Sequence, residues 1–437
     1  MNIQRKELLV TSFALFSLFF GAGNLLLPPL LGYNAGENWL WVSIGFMITA
    51  VLIPIIGIMA HAKLQGTMYD FAKKVAPWFS SVYCVIVYMI SVAIPSPRTA
   101  SATHEIAIYP TFETPPLLTS TIYFAFVLVF VLNRSKILNL IGTFLTPFIV
   151  IMLLTVIGIG LSSSSFSTGI SDFETPIVTG ILEGYQTFDA IGAVVVGAVI
   201  IVSLKFKNMK VSQFESKRKL IGRSGLIAGI GLFIIYAGLI AVGAYYGSDI
   251  KIDTGLSTDM QRANLLRGIS IAALGNFGNT VLSILIALAC FTTAVGIVAG
   301  AADYFRGLFN KSQEVYVITA IIACIAGIGV GQMNFHDIIV VAYPILLFIY
   351  PITIVLIILN VLPERVATPL VFRAVVMMTF IFSIPDVIGF ISPSESLQSI
   401  TNYMPLAKYS LGWVLPAIAT FLVACLTQLH IKKEQSK

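Results

Sequence analysis

Ser17-Leu18-Phe19-Phe20-Gly21-Ala22-Gly23-Asn24-Leu25-Leu26-Leu27-Pro28-Pro29 lies inside the first long apolar run of the chain. Two glycines and an asparagine stand near its middle, and two prolines follow. Glycine costs ~1 kcal/mol in a helix interior and proline removes a hydrogen bond. Close packing through small residues, common between membrane helices, is one reading. A helix interrupted at mid-depth is the other. The choice turns on a second stretch, Glu183-Gly184-Tyr185-Gln186-Thr187-Phe188-Asp189-Ala190-Ile191-Gly192, in the sixth apolar run. Glycines again bracket a polar centre, here with a carboxylate. A charge at mid-bilayer costs about 2.5–3.5 kcal/mol, and such charges usually mark ion or substrate paths. Asp189 is therefore either a cap on a second half-helix or part of such a path. Glu183 lies nearer the end of its run, where a solvated or gating role fits equally well.

Composition sets the frame around both stretches. Hydrophobic residues make up 57% of the 437 residues and charged residues only 11%, with a mean hydropathy of +0.93. A soluble domain carries roughly 25% charged residues, so lipid is the solvent this chain expects. About 20 apolar residues cross ~30 Å of hydrocarbon. Runs of that kind fall near 7–32, 38–61, 78–109, 117–133, 137–162, 176–203, 219–246, 277–307, 314–331, 337–361, 367–391 and 407–430. They are too long and continuous for barrel strands, so twelve transmembrane helices are expected. The two interrupted runs are the first and the sixth, where two inverted five-helix repeats place corresponding elements. Breaks at matching positions of two halves point to a transporter's binding site. The expected division is a first repeat over 1–162, a second over 176–361, and two peripheral helices over 367–430.

The basic residues orient the bundle. Of 26 Lys and Arg residues, only Lys251, Arg262, Arg267 and Lys408 fall between runs on one side, and Arg98 falls within a run. The rest lie on the side of the N-terminus. By the positive-inside rule both termini are cytoplasmic. The net charge of +6 is spread over these short clusters and implies no nucleic acid. Arg5 and Lys6 before Leu8–Phe20 imitate a signal peptide, but no convincing cleavage site follows, so Met1 is read as the mature start. Gly66–Pro77 alternates apolar and basic residues as an interfacial helix does, and Gly247–Gly275 has room for a short surface helix. Cys84, Cys290, Cys324 and Cys425 all lie in apolar runs and read as packing residues.

Two further stretches depart from uniform hydrophobicity. Ile94-Pro95-Ser96-Pro97-Arg98-Thr99-Ala100-Ser101 in the third run is followed by His104 and Glu105. Arg98 either pairs with Glu105 or Asp189 to hold helices together, or serves as a carboxylate clamp or outer gate, since a guanidinium pairs bidentately with carboxylates. Ala289-Cys290-Phe291-Thr292-Thr293 sits in the eighth run. Adjacent threonines often bond back to their own helix. Two hydroxyls facing the freed carbonyls of a broken first helix are also the hard oxygen ligands that sodium needs.

At these residues the sequence resembles the bacterial branched-chain amino acid:cation symporters, the BrnQ carriers. The matching motifs are Phe19–Pro29, Ile94–Glu105, Gly184–Gly197 and Ala289–Ile297, in that order. The third-run motif carries Ser96 where the family more often runs straight from Ile into Pro-Arg-Thr-Ala. The resemblance implies a leucine-transporter-like fold of ten core helices in two inverted repeats plus two peripheral ones. It implies uptake of leucine, isoleucine and valine into a bacterial cell across its plasma membrane, driven by sodium or protons, with no organic cofactor. It places Gly21, Ala22, Gly23 and Asn24 in the unwound part of the first helix, and Thr187, Phe188 and Asp189 in its sixth-helix partner. Ser17, Phe20 and Ala289 would offer carbonyls, and Thr292 and Thr293 hydroxyls, to a sodium ion.

These readings combine into alternating access. Sodium fixes the broken first helix against the eighth. The substrate carboxylate meets half-helix N-termini or Arg98, and its ammonium meets freed carbonyls and Asp189. Phe188 and Ile191 belong to the apolar pocket. A proton on Asp189 in place of sodium is the alternative within this scheme. An enzyme is not indicated, because His61, His104, His336 and His430 are scattered and no acidic pair or HExxH motif appears. A channel would more often show a repeated filter. A carrier of the same fold for another amino acid or organic substrate is the competing expectation. Oligomeric state leaves no trace in the sequence.

Overall fold

A computed structural model describes residues 3–133, 140–164, 167–206, 214–246, 250, 252–253, 255–392, 401 and 403–435. Among them there is no strand, and the helices follow one another as α1 (Ile3–Phe19), α2 (Ala22–Ala35), α3 (Trp39–Met47), α4 (Ile53–Leu64), α5 (Met68–Ala72), α6 (Pro77–Ala93), α7 (Pro95–Ala102), α8 (Tyr109–Phe112), α9 (Pro116–Leu132), α10 (Thr146–Ser163), α11 (Pro176–Tyr185), α12 (Asp189–Phe206), α13 (Phe214–Tyr245), α14 (Thr258–Leu274), α15 (Phe277–Leu308), α16 (Gln313–Val330), α17 (Phe335–Val361), α18 (Pro369–Ile391) and α19 (Val414–Gln435). Eight helical stretches are long and apolar enough to cross a membrane among the described residues, or nine if the bent pair α11–α12 is one span. Pro116–Leu132 and Val414–Gln428 are shorter apolar helices. The difference from twelve runs has physical causes. Ala22–Leu64 forms one stretch, because helical turns carry the chain straight from α2 into α3, and α1 has only 17 residues. The twelfth run is α-helical only from Val414, since Ala407–Tyr409 form an isolated 3₁₀ turn. Of the charges used for orientation, Arg134, Lys136, Lys207, Lys210, Lys251 and Lys437 lie outside the described residues.

The two expected breaks are present, but the first is narrower than expected: Ala22, Gly23 and Asn24 are not unwound and form the first turn of α2. Between α1 and α2 the chain leaves the helix at Phe20 and Gly21, with Gly21 extended at φ −110° and ψ −164°. Pro28 and Pro29 do not break anything; they sit inside α2. Between α11 and α12 three residues are non-helical, Phe188 adopts the left-handed conformation at φ 64°, and the axes differ by 42°. Such a backbone is costly for a residue with a Cβ and is held by its surroundings.

The halves interlock crosswise: α1 and α2 pack on α13, and α11 and α12 pack on α3 and α4. Glycine allows the close approaches. A Cβ on Gly32 would stand 1.9 Å from the Ile240 carbonyl oxygen, and one on Gly243 would stand 1.9 Å from that of Pro29. On the other side Gly45 and Gly180 meet the carbonyls of Ile177 and Val42 at 2.0 and 2.2 Å. The outer surface stays apolar, with Phe126, Ile151, Ile322, Met377 and Leu426 all more than half exposed. Water would not tolerate such a belt; hydrocarbon does. Of the expected surface elements, Gly66–Pro77 holds only α5, and α14 is longer than expected and half-sunk, with Asp259, Arg262, Leu265, Leu266, Ile269 and Ser270 buried. The cysteines are free, with only Cys425 less than fully buried.

Gly32→Leu should therefore abolish the folded protein, because the side chain meets backbone, where ordinary overpacking of side chains already costs ~1–3 kcal/mol. Gly158→Ala, whose methyl would meet nothing within 4 Å, should leave thermal unfolding in detergent unchanged. Equal behaviour of the two variants would refute the packing argument.

Candidate functional site

Each break is built from its own polar side chains. Asn24 Oδ1 accepts from the Gly21 amide at 3.1 Å, which restores one of the bonds lost where α2 begins. Thr187 Oγ1 donates to the Gly184 carbonyl at 2.8 Å and accepts from the Asp189 amide at 3.3 Å. Thr187 thus caps α12, and Asp189 is released from the capping role. The Tyr350 hydroxyl takes the Ala190 amide at 3.0 Å.

A cavity lies between the two breaks, closed by α6, α7 and α15. Gly21, Ala22, Gly23, Asn24, Arg98, Thr187, Phe188, Asp189 and Ile191, the residues singled out for substrate, all line it. So do Leu18, Phe19, Ser91, Pro95, Thr99, Gly192, Val195, Val196, Thr293 and Ile297. Asp189 Oδ2 accepts from Asn24 Nδ2 at 2.6 Å. The Tyr236 oxygen accepts from the same amide at 2.5 Å and its hydroxyl points at Asp189 Oδ2 from 3.5 Å. All these partners are neutral. Arg98 is 4% exposed. Its Nη1 donates to the Gln186 carbonyl at 2.8 Å, while Nε and Nη2 are buried without a hydrogen-bond partner. The guanidinium rests against the Phe335 and Phe188 rings, 4.4 and 5.8 Å from their centroids. The expected pairing of Arg98 with Asp189 or Glu105 does not occur among the described residues. Glu105 accepts instead from the Phe335 amide at 2.8 Å and from Ser101 Oγ at 3.3 Å. One cavity thus holds a guanidinium without an anion and a carboxyl group without a cation.

Beside it lies a cluster of neutral oxygens. Ser17 Oγ donates to Thr292 Oγ1 at 3.0 Å, and Thr292 Oγ1 is within 2.9 Å of the Ser17 carbonyl and 3.0 Å of the Ala289 carbonyl. Thr293 Oγ1 is buried without a partner and stands 3.0 Å from the place of a Cβ on Gly21. Phe20 sits at the break itself, its ring stacked on Phe16 and Tyr236. Hard neutral oxygens fit an alkali cation better than a transition metal, and no cluster of His, Cys, Asp and Glu suited to a metal occurs among the described residues.

At one end of the cavity α14 contributes a feature the sequence did not disclose. Arg262 bonds Asp259 at 2.7 Å and Glu183 at 3.0 Å, and lies 3.4 Å from the Gln186 side-chain oxygen. His336 Nδ1 lies 3.0 Å from Asp259. In the sequence Arg262 was one basic residue of a connecting stretch; nothing local marks it as buried. Tyr236 carried a fainter signal, a hydroxyl in the middle of the apolar run of α13.

Fold and site define a class: an all-helical membrane transporter of the leucine-transporter-like fold, with both broken helices at one cavity. A mutant form of the Eremococcus coleocola manganese transporter superposes with a TM-score of 0.60 at 15% identity, over 98% of this chain and 96% of that one. A Na+-coupled sialic acid symporter does so with 0.59 at 14% identity, over 96% and 90%. Residues 4–431 match the model of the branched-chain amino acid transport protein family. The chain belongs to that family. The branched-chain amino acid permease BraB of Bacillus subtilis is 32% identical over 98% of this chain and 96% of its own length.

Arg262→Met leaves Asp259, whose side chain is 5% exposed, without its arginine. Removing one partner of a buried pair costs ~3–5 kcal/mol. A clear fall in unfolding temperature is expected, and an unchanged temperature would show that the network contributes nothing.

Proposed function

We propose that this chain is a secondary active symporter that imports leucine, isoleucine and valine together with sodium by alternating access. One observation carries the reading: the free edge of Arg98 and the carboxyl group of Asp189 face the same cavity and do not pair. A zwitterion satisfies both. Its carboxylate takes Nε and Nη2 of Arg98 and lies near the N-terminal ends of α2 and α12, whose positive dipole ends point at the cavity. Its ammonium takes Asp189 and the carbonyls ending α1 and α11. Phe188 and Ile191 then face the branched side chain.

Ser17, Phe20, Ala289, Thr292 and Thr293 form the sodium site in this reading, and the partnerless Thr293 hydroxyl is its support. The ion ties the end of α1 to α15, so it favours the closed site that the amino acid also favours. Coupling of about 1–3 kcal/mol is typical for such linked binding. Asp189 without a cation partner supports a proton as the alternative coupling ion. The crosswise packing of α1–α2 and α11–α12 supports residues 1–162 and 176–361 as inverted repeats that rock around the site, with 367–430 peripheral. We place both termini in the cytoplasm of a bacterial cell and the α14 end outside.

Labelled leucine, isoleucine or valine should accumulate in proteoliposomes under an inward sodium gradient. Accumulation under a pH gradient alone would move the coupling to a proton, and none under either gradient would overturn the substrate. Arg98→Gln should raise the leucine KM roughly tenfold to a hundredfold, as expected for a charge-assisted hydrogen bond worth ~1.5–3 kcal/mol. Thr293→Val should raise the half-saturating sodium concentration instead, and leave the leucine KM at saturating sodium close to wild type. A variant that shifted only the leucine KM would remove Thr293 from the ion site.

A further inference from the structure

Resting on the reading of the cavity as an amino acid site, we infer that Gly192 decides which side chains it admits. Three observations isolate this residue. It lines the cavity, and it alone within residues 187–201 is not fully buried. Its backbone does not need glycine: it is helical, its amide donates to the Phe188 carbonyl at 2.8 Å, and the positive-φ glycines among the described residues are Gly36 and Gly275. Packing does not need glycine either. A Cβ here would meet only the Phe19 ring, at 3.8 Å, which is ordinary contact.

The neighbouring glycines behave differently. A Cβ on Gly184 would stand 2.0 Å from Thr49 Oγ1, and one on Gly197 would stand 2.1 Å from His61 Cδ2. Those two are glycine because another helix leaves no space. Gly192 is glycine where the only space its side chain would fill is the cavity. Alanine suits a helix better than glycine, so the missing methyl is a cost that the ligand's volume offsets.

The α15 wall of the cavity is fixed by its own packing. On α15, Gly296 and Gly300 receive Leu18 and Val195, whose methyls would lie 2.5 and 2.9 Å from Cβ atoms placed there. Ile297, between those glycines and one turn beyond Thr293, is the bulky α15 side chain on the cavity. Ile297, Phe19 and Gly192 all border the one cavity, so each limits the size of the side chain it holds.

The test is initial uptake by the full-length protein in proteoliposomes, with labelled alanine, valine, leucine, isoleucine and phenylalanine, for wild type, Gly192→Ala and Ile297→Ala. One methyl in a closed apolar pocket discriminates by about 10–200-fold. Gly192→Ala should raise the KM for leucine and isoleucine at least tenfold relative to alanine, with valine between them. Ile297→Ala should act oppositely and improve labelled phenylalanine relative to leucine. Equal shifts for all substrates in Gly192→Ala would overturn the inference. Loss of folded Gly192→Ala protein would overturn it too, since the added methyl must occupy open space. The wild-type leucine signal tests the cavity reading by itself, so failure of that reading is told apart from failure of the size rule.

Discussion

A backbone group inside hydrocarbon must find its hydrogen bond within the protein, because there is no water to supply one. Everything at this site follows from opening two helices under that constraint. Every freed group needs a replacement, and the replacements are polar side chains at the breaks and on the helices packed against them. Asn24 serves the Gly21 amide, Thr187 the Asp189 amide, Tyr350 the Ala190 amide and Arg98 the Gln186 carbonyl. Each of these side chains also borders the cavity or touches a residue that does. Groups left over after the repairs are therefore few, and the proposed ligand contacts are built on them. Among the described residues they include Nε and Nη2 of Arg98 and Oγ1 of Thr293.

Holding an arginine in this position takes further support. A guanidinium away from water and without an anion is expensive. Here it keeps one charge-assisted bond to a carbonyl and lies against two aromatic faces, which offer partial electrostatic compensation. Phe188 is one of those faces, and its left-handed backbone places it there. The strain at Phe188, the 42° bend of α11 against α12 and the orientation of Arg98 belong to one local solution. Gln186 extends it outward, because its carbonyl holds Arg98 while its side chain bonds Glu183 and Arg262. The ion pairs of α14 and the hold on Arg98 thus share a residue.

What the sequence revealed follows the same division. Breaks were legible because glycine, asparagine and aspartate are out of place in an apolar run, and every residue picked out for substrate lines the cavity. The Ser17–Ala289–Thr292 cluster came into contact as the family resemblance implied. Packing could not be read so well. Val195, Val196 and Ile297 are apolar residues among apolar residues, so nothing local separates a cavity wall from a lipid face. Pro28 and Pro29, which follow the opening, lie within α2, and the chain leaves the helix at Phe20 and Gly21. Inside α2 the two prolines each remove an amide from the helix ladder without ending the helix, whereas the extended Gly21 is what the opening requires. Arg262 was invisible because its burial depends on partners from α11 and α14 that no local pattern brings together.

Glycine carries two meanings in this bundle, and only the structure separates them. Gly32, Gly45, Gly180 and Gly243 let backbones touch, and a side chain at any of them would collide with a carbonyl. Gly192 has no such neighbour. In a membrane bundle, where apolar surface gains little by leaving lipid, close packing is a main source of helix association. A glycine that forgoes a side chain without gaining a contact contributes nothing to that association. Its contribution is volume, left open to the cavity beside Phe19.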